Sequence, residues 1–156
     1  MKYLTLIRHA KAGSIVPGSD DAQRTLSDRG RADARMMGRI LAAQGRDPQC
    51  ILVSPARRAI QTGELLKPPV AMDVRQQLYL AEAETIWDFA YTSFLEYQCL
   101  WIIAHNPGIS EAVELFSGSR IENVPPGGII TIVFDELIPA GGNGRLIFFD
   151  IPAHHR

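Results

Sequence analysis

Three short, mostly apolar runs, residues 3–7, 50–53 and 100–104, each stop at a polar cluster: Arg8-His9, Ser54-Pro55-Ala56-Arg57-Arg58 and His105-Asn106-Pro107. Runs of four or five such residues are too short for helices, and their near-continuous apolar character marks strands buried on both faces. Helix signals lie between them. Ser27 caps a helix with Gly30, Ala34, Met37 and Leu41 as its apolar stripe, and Gly45 can end it. Ser54-Pro55 supplies a cap and first-turn pair for a helix to about Leu66, stopped by Pro68-Pro69. Asn106-Pro107 repeats that grammar for a helix to about Phe116. Residues 82–97 read as another helix with Ile86, Phe89, Ala90 and Phe94 inward, and residues 70–74 as a short strand. This alternation predicts an α/β domain with a largely parallel sheet.

Two final runs, 129–134 and 145–150, are joined by a loop carrying Gly141, Gly142 and Gly144 and are expected to pair antiparallel. The glycine cluster joins strand to strand and opens no helix, so it reads as a turn and not as a phosphate loop. The expected architecture is a three-layer α/β/α sandwich with a mostly parallel central sheet and an antiparallel C-terminal strand pair. With 156 residues and no linker, repeat or low-complexity segment, residues 1–156 are expected to form a single domain.

Composition removes several functional classes. Sixteen basic and seventeen acidic residues give a formal charge of −1, so no whole-molecule field attracts nucleic acid or anionic lipid, and any anion site must be local. Neither nucleic acid nor membrane is an expected partner. No apolar run reaches the length of a membrane span, and Arg8 interrupts the N-terminal apolar stretch before it resembles a signal peptide. Cys50 and Cys99 lack metal-ligand spacing and read as two reduced core thiols, which suits a cytoplasmic protein.

In a parallel α/β sheet the three polar clusters fall at one carboxyl edge, where ligand crevices form. Two of them open helices, whose first-turn amides favour an anion. Histidines and arginines converging there point to a phosphoryl group, because guanidinium forks match its oxygens and neutral imidazole is a competent nucleophile. Helix geometry separates the adjacent arginines. Arg57 shares a polar face with Gln61 and Glu64, whereas Arg58 lies on the flank and points back toward the sheet edge. Arg58 is the expected ligand and Arg57 a surface or rim residue. Arg31, Arg35 and Arg39 read as a solvated face, Trp87 and Trp101 as core, and His154-His155 as a frayed tail.

The residues Leu6-Ile7-Arg8-His9-Ala10-Lys11, Arg24-Thr25-Leu26-Ser27-Asp28-Arg29-Gly30, Ser54-Pro55-Ala56-Arg57-Arg58-Ala59-Ile60-Gln61-Thr62 and His105-Asn106-Pro107-Gly108 resemble the histidine phosphatase superfamily, with its phosphoglycerate mutase-like fold. The short length, the Arg-His-Ala-Lys form and the lack of a large inserted cap are similar to the SixA-type protein phosphohistidine phosphatases. The resemblance implies that His9 is the nucleophile, that Arg8 and Arg58 bind the phosphoryl oxygens, and that His105 stabilises the transferring group. It places Arg24 at the pocket edge and implies neither metal nor cofactor. Lys11, two positions past His9, either touches substrate or rims the pocket.

Ester-cleaving members of that superfamily carry a carboxylic acid that protonates the leaving alkoxide. In the corresponding region here, residues 78–85, Glu82 and Glu84 are candidate acids and equally good as first-turn residues that offset a helix dipole. Without such an acid the leaving group must depart readily, as the imidazole of a phosphohistidine does, its conjugate acid having a pKa of about 6.5. The expected function is hydrolysis of phosphohistidine on a protein, such as a histidine phosphotransfer domain, through a covalent phosphohistidine at His9. Two alternatives stand beside it: a phosphomonoesterase acting on small phosphate esters with Glu82 or Glu84 as acid, and a non-catalytic phosphate-binding module.

Overall fold

The computed structural model describes residues 1–138 and 141–156. Strand β1 (Lys2–Arg8) is followed by helix α1 (Asp28–Ala43), then β2 (Cys50–Val53), α2 (Arg57–Leu65), β3 (Met72–Val74), α3 (Ala83–Ser93), β4 (Cys99–Ala104), α4 (Gly108–Ser117), β5 (Ile129–Phe134) and β6 (Arg145–Asp150). The sheet order is β3-β2-β4-β1-β5-β6. The first four strands in that order are mutually parallel, β5 runs antiparallel to β1, and β6 antiparallel to β5.

Side-chain alternation explains why the strand runs are so continuously apolar. Leu4, Leu6, Leu100, Ile102 and Ala104 point to one face, where they meet Ile86, Trp87, Ala90 and Phe94 of α3 and Ile109, Ala112, Val113 and Phe116 of α4. Ile7, Ile51, Val53, Trp101 and Ile103 point to the other, against Met37 and Leu41 of α1 and Ala59 of α2. Both faces of the sheet are therefore covered, as the three-layer reading requires. Ser27 accepts a hydrogen bond from the Gly30 N–H at 3.0 Å, capping α1 where expected.

Several expectations change in detail. The strand expected over 70–74 is shortened to Met72–Val74, and Pro107, not Asn106, is the N-cap of α4. Helix α2 begins at Arg57 and not after Ser54, because the Ser54 hydroxyl is engaged elsewhere, as described below. Helix α3 spans only Ala83–Ser93, its end defined by a C-cap at Phe94. Cys50 and Cys99 are free thiols but only half-buried, since they begin their strands at the edge of the core. The tail is not frayed. Residues Pro152–His155 form a 3₁₀ turn, His154 and His155 both bond the Asp150 carboxylate, and Arg156 pairs with the buried Asp33 of α1. Among the described residues no helix is long and apolar enough to cross a membrane.

Candidate active site

Because β1, β2 and β4 are parallel and adjacent, the residues after their last positions come together at one edge of the sheet. The His9 and His105 ring centroids lie 5.2 Å apart. Arg8, His9, Lys11, Asp21, Arg24, Arg58, Leu80, His105 and Asn106 are among the residues lining a cavity of about 470 Å³. The structure thus brings together Arg8, His9, Arg58 and His105, with Lys11 and Arg24 in the same wall. Arg57 is exposed, and its neighbour Arg58 is only 2% exposed. Glu82 and Glu84 stand exposed at the start of α3 and do not line the cavity, Glu82 as its N-cap and Glu84 in its first turn.

The His9 backbone is fixed from two sides. Its N–H donates to the Ala104 carbonyl of β4, and its carbonyl accepts from Gly127 N, which also reaches the Arg8 carbonyl. Gly127 holds a φ of 81° there, and a Cβ on it would press on Pro152. The next residue is tied to α2: Ala10 N donates to Thr62 Oγ1, which in turn donates to the Arg58 carbonyl. One threonine therefore links the strand bearing His9 to the helix bearing Arg58.

Ring protonation follows from the partners. His9 Nδ1 lies 2.7 Å from the Ala10 carbonyl oxygen, which can only accept, so Nδ1 carries the proton and Nε2 is left bare. Burial, aided by the charges of Arg58, Arg8 and Arg24 and opposed by the Ala10 carbonyl, lowers the His9 pKa to about 4. His105, 1% exposed, is lowered to about 3 by burial and then by His9 and Arg58. Both rings are neutral at pH 7. Ser54 Oγ sits 2.7 Å from His105 Nε2 and accepts from Ala56 N, which accounts for its absence from the cap of α2.

The arginines are held by acceptors outside the cavity centre. Arg8 Nη1 donates to the Val124 carbonyl at 2.7 Å, an oxygen that Asn106 Nδ2 also approaches. Arg58 donates from Nη1 to the Asp21 carbonyl at 2.8 Å and from Nη2 to Asp21 Oδ2 at 2.9 Å. Arg24 Nη2 reaches Asp21 Oδ1 at 3.3 Å. Among the described residues, four buried side-chain nitrogens have no partner: Nε of Arg8, Arg24 and Arg58, and Nδ1 of His105. Every one belongs to a residue of this cavity wall. The three guanidinium nitrogens are donors, and unpaired buried donors cost about 1–3 kcal/mol each, so their concentration in one place suits an anion.

The sequence does not disclose Ser54 as a partner of His105, gives Thr62 no role beyond its place in the Ser54–Thr62 motif, and does not single out Tyr79 or Asp21. Asp21 sits in a 3₁₀ turn, Asp21–Gln23, inside an irregular stretch with no period to read. Its one sequence cue is an acid three residues before Arg24.

A parallel α/β edge holding two neutral histidines among three arginines is chemically suited to a phosphoryl group. Comparison with known proteins agrees. The family model "Histidine phosphatase superfamily (branch 1)" matches residues 4–88, and the chain belongs to that superfamily. It is a phosphatase. A protein assigned as the phosphohistidine phosphatase SixA of Agrobacterium tumefaciens is 26% identical, with a TM-score of 0.86 over 97% of this chain and 99% of that one. The protein histidine phosphatase SixA complexed with tungstate is 21% identical, also with a TM-score of 0.86, over 99% of each chain. A mycobacterial glucosyl-3-phosphoglycerate phosphatase in complex with VO3 is similar in fold at 16% identity, with a TM-score of 0.72 over 97% of this chain and 100% of that one. No curated protein matches the sequence.

Proposed function

We propose that this phosphatase hydrolyses phosphohistidine on a protein, with His9 as nucleophile, Arg8 and Arg58 as ligands of the phosphoryl oxygens, and His105 as a stabilising donor. The observation that carries the reading is the convergence of two buried neutral imidazoles with three arginines, whose Nε donors are unpartnered, around one cavity. The bare Nε2 of His9 attacks phosphorus as the substrate's phosphorus-nitrogen bond breaks, and the substrate ring, protonated by solvent at its other nitrogen, departs as neutral imidazole. Water then forms a phosphorus-oxygen bond as the bond to His9 breaks, giving one proton back to solvent, while His9 keeps its Nδ1 proton on the Ala10 carbonyl and recovers a bare Nε2 as inorganic phosphate leaves. Guanidinium charge balances the equatorial oxygens in both steps, so the scheme needs no metal.

The choice of substrate rests on the missing acid. Asp21 is the carboxylate in the cavity wall, and the Tyr79 hydroxyl followed by Arg58 lowers its pKa to about 2. At pH 7 it has no proton to give an alkoxide. A leaving imidazole can take its proton from solvent at the remote ring nitrogen near pH 7 and needs no enzyme acid, whereas an alkoxide does. The same superfamily's SixA members supply a precedent for a protein phosphohistidine substrate, and a phosphorylated histidine phosphotransfer domain is the partner class that fits.

The test is single-turnover transfer from a phosphorylated histidine phosphotransfer domain in the presence of EDTA. An acid-labile, alkali-stable phosphoenzyme is expected for the wild type and none for His9→Ala. Glu82→Gln and Glu84→Gln should leave the rate within about twofold. Sugar phosphates turned over as fast as the phosphoprotein, with loss in either glutamate variant, would replace this reading with the esterase one. Anion binding without any phosphoenzyme would replace it with a binding module.

A further inference from the structure

Asp21 is the one carboxylate facing this anion cavity among the described residues, and the reaction above gives it no chemical step. An acid beside a phosphate site opposes binding unless it serves another purpose. Its contacts show what that purpose is. Both terminal nitrogens of Arg58 end on Asp21, one on the main-chain oxygen at 2.8 Å and one on Oδ2 at 2.9 Å. Two acceptors on a single residue fix both the position and the plane of a guanidinium, which a single acceptor does not. The carboxylate is itself held in place, since the Tyr79 hydroxyl donates to Oδ2 at 2.6 Å and Arg24 approaches Oδ1. The Tyr79 ring stands edge-on to His105, 5.7 Å between centroids. It therefore touches the histidine side of the pocket while its hydroxyl reaches the arginine side.

We propose that Asp21 and Tyr79 are a positioning pair: Asp21 sets the plane of the Arg58 guanidinium at the anion site, and Tyr79 acts through Asp21 by locking its carboxylate. This rests on the reading of Arg58 as a phosphoryl ligand. Two simpler roles make different predictions. If Asp21 only tempered the positive charge, Asp21→Asn would bind anions more tightly. If it only stabilised the fold, its loss would lower the melting temperature and leave the folded enzyme's rate unchanged.

The measurements are the orthovanadate dissociation constant and the single-turnover rate of His9 phosphorylation, both on the full chain. Asp21→Asn is expected to slow transfer about 100-fold, the scale of an ångström-level misplacement, and to weaken vanadate binding. Tyr79→Phe should give the same pattern at about three- to tenfold, the scale of one hydrogen bond. The decisive arm is the double variant: Tyr79→Phe adds nothing in an Asp21→Asn background if the tyrosine works only through Asp21. Formate, which can refill the space left by Asp21→Ala, should restore part of the rate where chloride does not.

Unchanged or tighter vanadate binding in Asp21→Asn, or a full Tyr79→Phe effect in the double variant, overturns the proposal. Should Asp21→Asn fail to fold, Tyr79→Phe alone at unchanged melting temperature still tests it: an unaltered rate and vanadate affinity would count against the pair. Arg58→Ala losing vanadate affinity confirms the ligand on which the pair acts, and unaltered affinity there removes the basis of the proposal. If the wild type forms no phosphoenzyme yet binds vanadate, the phosphatase scheme fails while vanadate affinity continues to report on Asp21.

Discussion

At the residue scale the governing quantity is the protonation of His9. A histidine in water is half-charged at about 6.5 and would lose nucleophilicity in mildly acidic solution. Here burial holds it near 4, and the Ala10 carbonyl selects the tautomer that bares Nε2. The acid limb of kcat/KM for phosphoenzyme formation should accordingly lie near pH 4 and not near 6.5, after correction for spontaneous loss of phosphohistidine in acid. Stopped-flow quench between pH 3.5 and 8 checks this. A limb at 6 or above would mean that the free-enzyme ring is solvated, and the closed geometry around Ala10 would not describe the reacting state.

At the element scale the scaffold is held by close backbone approaches that tolerate no side chain. A Cβ on Gly38 of α1 would come within 2.7 Å of the Leu66 carbonyl oxygen and 2.9 Å of its Cα, where α1 crosses the end of α2. A Cβ on Gly108, the first residue of α4, would overlap the Ala81 carbonyl oxygen, beside Leu80 of the cavity wall. Backbone cannot yield as a flexible side chain does, so each alanine should cost about 1–3 kcal/mol in denaturant unfolding. Their functional effects should differ. Gly38→Ala should keep kcat for the folded fraction, because its clash is remote from the cavity. Gly108→Ala should lower it severalfold, because α4 carries the turn that includes Asn106. Equal kcat in the two variants would show that the start of α4 does not set the site.

These elements differ in how openly the sequence declares them. β4 and β5 are buried along nearly their whole length, so their letters are apolar apart from Thr131, which pairs with Thr5 Oγ1, and their bounds can be read to within a residue. The cap of α1 is legible because Ser27, while donating its hydroxyl to the Lys11 carbonyl, still accepts from the Gly30 N–H three residues on. The start of α2 is not, since Ser54 Oγ pairs with His105 Nε2, a contact 51 residues away. The same reason conceals Asp21. Its pairing with Arg58 spans 37 residues and begins in a turn without period, and the tail anchor between Arg156 and Asp33 spans 123. Local pattern shows which residues end the strands; only the packed sheet shows which of them a distant side chain will hold.

At the scale of the whole molecule, a site built from buried neutral histidines and unpaired donors makes the fold carry a cost that depends on pH. For both His9 and His105 the folded pKa, about 4 and about 3, lies below the value of about 6.5 expected when unfolded. Below 6.5 the unfolded chain therefore binds protons that the native protein refuses, and the slope of unfolding free energy with pH is positive through that window. Each ring contributes up to about 1.4 kcal/mol per pH unit, so stability should be full above about 6.5 and fall as pH drops toward 4 and then 3. Asp21, whose folded pKa of about 2 lies below the usual carboxylate range, adds a loss of the same sign that starts near pH 4 and continues to about 2. Urea unfolding at pH 7.5, 6, 5 and 4 measures the slope, and His105→Gln should flatten it between 6 and 4. A wild-type stability that stays level from 7.5 to 4 would mean that the two rings take up protons as freely in the fold as in water, which is incompatible with their burial at one closed sheet edge.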